Sequence, residues 1–283
     1  MVRWRERVTS AALRLRSWAV ARAGPDFEER FGRAVPSLNE FGVDRFGYSL
    51  AFSLWLVAPL LWLYRWYFRV ECRGLENLPA RGPVILVANH SGQIPLDAGM
   101  IALATILEAP SPRAVRGMTE KWISGLPWAS TVMSRSGMVV GTPENCRRLL
   151  RSGEPVLVFP EGVRGIVKAW RRRYQLQEFG QGFMRLALET GAPIVPVAVI
   201  GGEEQMPAIA ELPAVGRLLG LSTFPLVVFP LPLPTKYRLH FGAPLRFGGT
   251  EDEGAVEWNV EEVKRRLQTM IDDGLRSRAH VFW

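Results

Sequence analysis

Beyond residue 67, short uninterrupted apolar runs alternate with stretches whose apolar positions recur at helical spacing. Val84, Ile85, Leu86, Val87 and Ala88 follow Gly82-Pro83 without a polar interruption, and residues 155–159 form a second such run. Runs of this kind predict strands buried on both faces. Residues 68–73, 138–141, 193–200 and 237–241 predict further strands. Between them, helices are predicted over 97–108 and over 181–190, the latter closed by Gly191. Another starts at the Thr142-Pro143 cap and first-turn pair and runs through Leu150. Val260, Val263, Leu267 and Ile271 mark a C-terminal helix. No internal repeat is visible. Strand–helix alternation of this order predicts an α/β fold, a mostly parallel sheet covered by helices.

The first 67 residues are patterned differently. Trp4, Val8, Ala11, Leu15 and Trp18 fall on one helical face, and residues 1–22 also hold six arginines against one acid, Glu6. This predicts a basic amphipathic helix, either lying on a membrane surface or docked on the domain. It lacks the apolar stretch of a secretory signal. Residues 46–64 contain no charge and are bracketed by Arg45 and Arg65. Nineteen helical residues would span about 28 Å, barely a hydrocarbon core of about 30 Å. Gly47 and Pro59 weaken a single straight helix, and Trp55, Trp62, Tyr64, Trp66 and Tyr67 suit the water–lipid boundary. The segment is expected to embed as a helix or helical hairpin, with a buried core helix as the alternative. Residues 218–234 are also uncharged, but prolines at 225, 230, 232 and 234 exclude a spanning helix. An apolar loop entering lipid and a core strand with extended flanks fit that stretch equally.

Composition narrows the partners. Hydrophobic residues make up 48% of the 283, enough for a real core. A net charge of +8 points to an anionic partner, and ten tryptophans favour an anionic membrane over nucleic acid. No reading helix, aromatic RNA-binding motif or zinc finger supports nucleic-acid binding. With only Cys72 and Cys146 and no CxxC, neither a disulfide framework nor a thiolate zinc site is expected.

Candidate chemistry sits where the two central strands end. Asn89-His90 follows the first directly, with Asp97 seven residues on, and Pro160-Glu161-Gly162 follows the second after Phe159. An aspartate bonded to one imidazole nitrogen fixes the tautomer and stabilises the imidazolium, leaving the other nitrogen as a base. There is no GxSxG, and neither cysteine is near, so the base is expected to activate a substrate hydroxyl. Arg164, beside the Pro-Glu-Gly turn, is a candidate for binding phosphate. Lys168 and Arg171 to Arg173 read as a solvated basic loop or one that binds lipid headgroups nonspecifically.

Four ordered blocks carry a family resemblance: Asn89-His90 with Asp97; Gly137-Met138-Val139-Val140; Phe159-Pro160-Glu161-Gly162-Val163-Arg164; and Ile194-Val195-Pro196-Val197. Together they resemble the phospholipid/glycerol acyltransferase family, which includes the lysophosphatidic acid acyltransferases. The resemblance covers roughly residues 68–245. It implies an acyltransferase domain over 68–283 behind an N-terminal amphipathic and membrane-embedded helical region over 1–67. It further implies transfer of a fatty acyl group from acyl-CoA or acyl-carrier protein to a hydroxyl of a lysophospholipid or related glycerolipid. His90 would deprotonate that hydroxyl and Asp97 would orient His90. Asn89, Gly137, Phe159, Pro160, Glu161, Gly162, Arg164 and Pro196 would serve substrate binding. The thioester is a co-substrate, and no cofactor or metal is implied. Location on a bilayer with anionic lipids is expected, at a bacterial inner membrane with the site facing the cytoplasm, where thioester donors occur.

Two departures from the family pattern stand out. Six residues separate His90 from Asp97 where the family has four, and the Gly137 block lacks the arginine that helps hold an acceptor phosphate. The second departure opens the acceptor to a monoacylglycerol, a diacylglycerol or another lysolipid. A CoA-independent lipid transacylase and a noncatalytic lipid-binding protein are the remaining alternatives.

Overall fold

The structure, a computed structural model, describes residue 17 and residues 26–91, 96–125, 128–166, 168–212, 214, 224–229, 231–249 and 252–283. The amphipathic helix expected over 1–22 lies outside these residues apart from Ser17. Helices α1 (Phe27–Ala34) and α2 (Leu50–Trp62) precede β1 (Glu71–Arg73). Next come β2 (Val84–Ala88), α3 (Leu96–Leu107), β3 (Arg116–Thr119), α4 (Ala129–Arg135), β4 (Val139–Val140), α5 (Pro143–Arg151), β5 (Pro155–Val158) and α6 (Val163–Ile166). The chain continues through α7 (Gly182–Thr190), β6 (Ile194–Ile200), β7 (Ala208–Leu212), β8 (Phe224–Val227), β9 (Arg238–Phe241) and α8 (Glu253–Ser277).

One sheet in the order β1-β9-β6-β2-β5-β3-β4 organises the molecule, parallel throughout except where β6 meets β9. β2 lies between β5 and β6, with Val87 opposite both Val158 and Pro196. Its uninterrupted apolar run serves two faces. Ile85 and Val87 join a core under α5, α7 and α8, while Val84, Leu86 and Ala88 join one under α3. The predicted strands and helices recur with ends shifted by a residue or a few, and Thr142 caps α5 by accepting the Asn145 N–H at 3.3 Å. Parallel order places the carboxyl ends of β2 and β5 side by side, the usual position of a site in such sheets.

The uncharged segment before β1 forms α2, which continues into a π-helical turn at Leu63–Tyr67. Val57 and Leu61 pack with Phe27 and Phe31 of α1 and Ile106 of α3, so one side of α2 belongs to the core. Trp55, Trp62 and Trp66 remain exposed on the other side. Among the described residues, no helix is long and apolar enough to cross a membrane. Within the 218–234 stretch, β8 pairs with β7 in a separate two-stranded antiparallel sheet and is no strand of the core.

β3 was not signalled by the hydrophobic pattern. Its first residue, Arg116, is almost fully buried and donates to Asp44 Oδ2 at 2.6 Å, pinning the segment before α2 to the sheet.

Candidate active site

His90 stands just past β2, and its ring lies over Phe159, just past β5, with centroids 4.2 Å apart and planes inclined by 19°. Its Nδ1 is 2.8 Å from Asp97 Oδ2. Asp97 is completely buried in the first turn of α3, where the helix dipole favours a carboxylate. The same Oδ2 accepts the Ser91 N–H at 2.8 Å and the Ser91 hydroxyl at 3.3 Å, while Oδ1 accepts the Ala98 N–H at 2.8 Å. The longer connection between His90 and Asp97 therefore still closes into a direct pair. Held this way, Nδ1–H points at the carboxylate and Nε2 is left to accept a proton.

Glu161 supports the histidine from behind. Its Oε1 accepts the His90 backbone N–H at 3.2 Å, and its Oε2 accepts the Gln177 N–H at 2.8 Å and Lys168 Nζ at 3.3 Å. Lys168 is no solvated loop residue: it is buried and also donates to Glu203 Oε1 at 2.8 Å. Glu203 Oε2 accepts the Tyr174 N–H at 2.8 Å, and the Tyr174 hydroxyl donates to Glu204 Oε2 at 2.9 Å. Arg278 completes the chain on Glu204, reaching Oε1 at 2.6 Å. A buried carboxylate needs such a partner, and Lys168 serves two at once. The signal available in sequence was Glu203-Glu204, two glycines past a buried strand, a pair of acids that had to meet cations.

Burial pushes the Glu203 carboxyl up to about 7, with Lys168 pulling the other way. The folded chain therefore holds this proton at pH values where an unfolded one, near 4.5, has released it. The group's stabilising contribution is complete below about 4.5 and is lost as pH rises through about 7. Wild type is thus expected to lose melting temperature between about pH 5 and pH 8 more steeply than Glu203→Gln. Equal slopes in thermal scans would contradict this.

Close packing fixes the pair from two further sides. A Cβ on Gly165 of α6 would stand 2.9 Å from the His90 Cβ, so the helix approaches the histidine only because glycine is there. A Cβ on Gly202 would stand 2.1 Å from Ser91 Oγ and 2.8 Å from Ser91 Cβ. Gly202→Ala must displace Ser91 and with it two of the bonds holding Asp97. It is expected to lower kcat by about tenfold to a hundredfold, the usual cost of misplacing a catalytic group by an ångström. A kcat within about twofold of wild type would show that Ser91 does not position the pair.

His90 and Phe159 open onto a cavity of about 550 Å³ whose wall includes Gly162, Met118, Trp122 and Ile166. A second cavity, of about 390 Å³, is lined by apolar side chains such as Leu60, Leu103 and Ile106 and meets the first at Ala98, Met133 and Met138. Gly137 lines this second cavity. The other residues singled out for substrate binding lie elsewhere. Asn89 is buried and ties β2 to β6 by exchanging hydrogen bonds with the Val199 backbone at 2.7 and 2.9 Å. Pro160 offers its carbonyl to Gly180 N at 2.9 Å, and Pro196 is buried within β6 opposite Val87. Glu161 faces its ion pair, and Arg164 is exposed on the surface, where it pairs with Glu178 at 2.7 Å. Among the described residues, no group of three or more His, Cys, Asp or Glu side chains is placed to hold a metal ion.

The family model Acyltransferase matches residues 69–200. The chain is 36% identical over 260 residues to an uncharacterized protein of Mycobacterium tuberculosis, covering 87% of this chain and 73% of that one. It is 23% identical over 211 residues to the human DGAT1/2-independent enzyme synthesizing storage lipids, covering 75% and 63%. It is 26% identical over 156 residues to the Brassica napus chloroplastic 1-acyl-sn-glycerol-3-phosphate acyltransferase BAT2, covering 51% and 41%. The crystal structure of the 1-acyl-sn-glycerophosphate acyltransferase PlsC from Thermotoga maritima shares the fold, with a TM-score of 0.52 at 20% identity over 81% of this chain and 83% of that one.

Proposed function

The chain belongs to the phospholipid/glycerol acyltransferase family, and on that premise we propose that it transfers a fatty acyl group from a thioester donor to a hydroxyl of a glycerolipid. The observation that carries this reading is the 2.8 Å His90–Asp97 pair, whose histidine lines a cavity that shares wall residues with a neighbouring apolar one. His90 Nε2 takes the proton of the acceptor hydroxyl as its oxygen attacks the thioester carbonyl carbon. Collapse of the tetrahedral intermediate breaks the C–S bond, and the departing thiolate takes the proton back from the imidazolium. Asp97 stays ionised and steadies the transient positive charge. No protein nucleophile takes part. The acyl chain lies in the apolar cavity, where each buried methylene contributes about 0.8 kcal/mol.

Acyl-CoA or acyl-carrier protein would supply the thioester, and the reaction would run at a bilayer surface held by the basic N-terminal segment and the exposed tryptophans. The acceptor is a lysophospholipid such as 1-acylglycerol-3-phosphate, or a mono- or diacylglycerol. The neutral acceptors gain support from the disposition of charge. Arg164 is occupied by Glu178 away from the cavity, and Lys121 in the wall adjoins Glu120.

The test is transfer of a labelled acyl group from acyl-CoA to a panel of lysophosphatidic acid, monoacylglycerol, diacylglycerol and other lysolipids. Donor-dependent product on at least one acceptor is expected. Transfer that persists without the CoA ester would mark a transacylase, and no transfer from either thioester to any acceptor would overturn the reading.

A further inference from the structure

The β7–β8 hairpin and the segment that leaves it are built unlike the rest of the domain. Ile209, Leu226, Val228, Phe229 and Leu231 all face solvent, Phe229 at 48% and Leu231 at 73% of full exposure. Large apolar side chains gathered on one element of a soluble face mark a contact surface. This surface is tied to another. The Tyr67 hydroxyl donates to the Pro232 carbonyl at 2.6 Å, and Arg69 Nη2 donates to the Pro234 carbonyl at 2.6 Å. Tyr67 in turn stacks on Trp62 at 5.4 Å. The hairpin's exit therefore lies against the end of α2 and the π-helical turn that follows it, which carry exposed Trp62 and Trp66, two segments some 165 residues apart in the chain.

Charge and position say what covers this face. The sequence from 218 to 234 has no charged residue, whereas Arg65 on the π-helical turn and Arg171 and Arg172, in the short 3₁₀ turn packed against β7, are exposed beside it. An apolar, tryptophan- and proline-rich centre with a cationic edge matches a bilayer carrying anionic headgroups. Ala208, at the start of β7, also lines a small cavity with Ile166, and Ile166 forms part of the wall of the His90 cavity. The hairpin thus begins one side chain from the site.

We propose that the β7–β8 hairpin, with Trp62 and Trp66, docks the domain on an anionic lipid bilayer, as a second membrane contact besides the basic N-terminal segment. This deepens the membrane reading above. Phe229 and Leu231 dip into the interface, the arginines meet the headgroups, and the His90 cavity is held at the surface from which a lipid acceptor enters.

The test is partition of the full chain onto vesicles of phosphatidylcholine with phosphatidylglycerol. Phe229→Ser/Leu231→Ser is expected to weaken partition about tenfold or more, since two large apolar side chains leave the interface. The same variant is expected to keep transfer to detergent-dispersed acceptor within about twofold of wild type, because neither residue lines the cavity. A second measurement stands apart from that variant's folding: an environment-sensitive fluorophore on Leu231→Cys is expected to shift to the blue when vesicles are added. If the double variant does not fold, the fluorophore alone decides. Unchanged partition, or unchanged emission on a protein that binds vesicles, overturns the proposal and leaves the face to a protein partner. Because partition is read without catalysis, failure of the acyltransferase reading would show only in the product assay.

Discussion

Replacing His90 with alanine is expected to lower kcat for acyl transfer by about a thousandfold or more, close to the full contribution of a positioned base. The ring bonds Asp97 and stacks on Phe159, but without it the buried Asp97 keeps the Ser91 and Ala98 N–H bonds, and the His90 backbone N–H still bonds Glu161. The backbone bond survives the substitution, so the melting temperature is expected to stay within about 3 °C of wild type. Asp97→Asn is expected to be nearly as damaging to kcat while leaving KM for the acceptor largely unchanged. The amide cannot stabilise the imidazolium and can present N–H to Nδ1, which favours the wrong tautomer. Transfer assays on folded, monodisperse variants check both. Wild-type kcat in a well-folded His90→Ala chain would remove the histidine from the mechanism.

Lys168→Met is expected to destabilise the fold by about 3–5 kcal/mol, because it strands buried carboxylates rather than deleting a surface charge. Glu161 and Glu203 each lose their cation, and Glu161 is the group that holds the His90 backbone. The melting temperature should fall on the order of 10 °C. Adding Glu203→Gln is expected to recover part of the loss, since the amide no longer needs a counter-charge. That coupling separates an ion pair from simple loss of packing. A single variant melting within about 2 °C of wild type would show that the buried lysine is dispensable.

The candidate site was legible where structure and pattern coincide. β2 and β5 are buried on both faces, so their sequences are unbroken apolar runs, and the polar residues ending them announce the site. The pairing of His90 with Asp97 followed from residue types, although the longer connection between them departs from the family spacing. Elsewhere the determinants are long-range. β3 opens with a buried arginine whose partner, Asp44, is 72 residues away, so its pattern is not that of a strand. Lys168 resembles its exposed arginine neighbours in sequence, and only its contact with Glu203, 35 residues on, turns it inward. Asn89 and Glu161 fall within motif blocks, but both brace backbone, Val199 across the sheet and His90 itself, and Glu161 also pairs with buried Lys168. Motif position marks such residues as important without distinguishing a ligand contact from a brace.

The uncharged segment at 46–64 shows the same limit. A stretch that could just span a hydrocarbon core became a short helix with one side in the domain core and tryptophans on the other. Hydropathy alone does not separate these outcomes, because a helix with one side in the core and exposed tryptophans on the other is also apolar all round.

Direct attack of the acceptor hydroxyl, with His90 as base and no acyl-enzyme, is the central claim, and a quenched single turnover tests it most directly. Wild-type protein is mixed with labelled acyl-CoA, with and without acceptor lipid, quenched in denaturant and separated into protein and lipid. The expected result is label in the lipid product only when acceptor is present, with no protein-bound label in either reaction. Stoichiometric label on the protein that passes to the acceptor on its addition would contradict the claim.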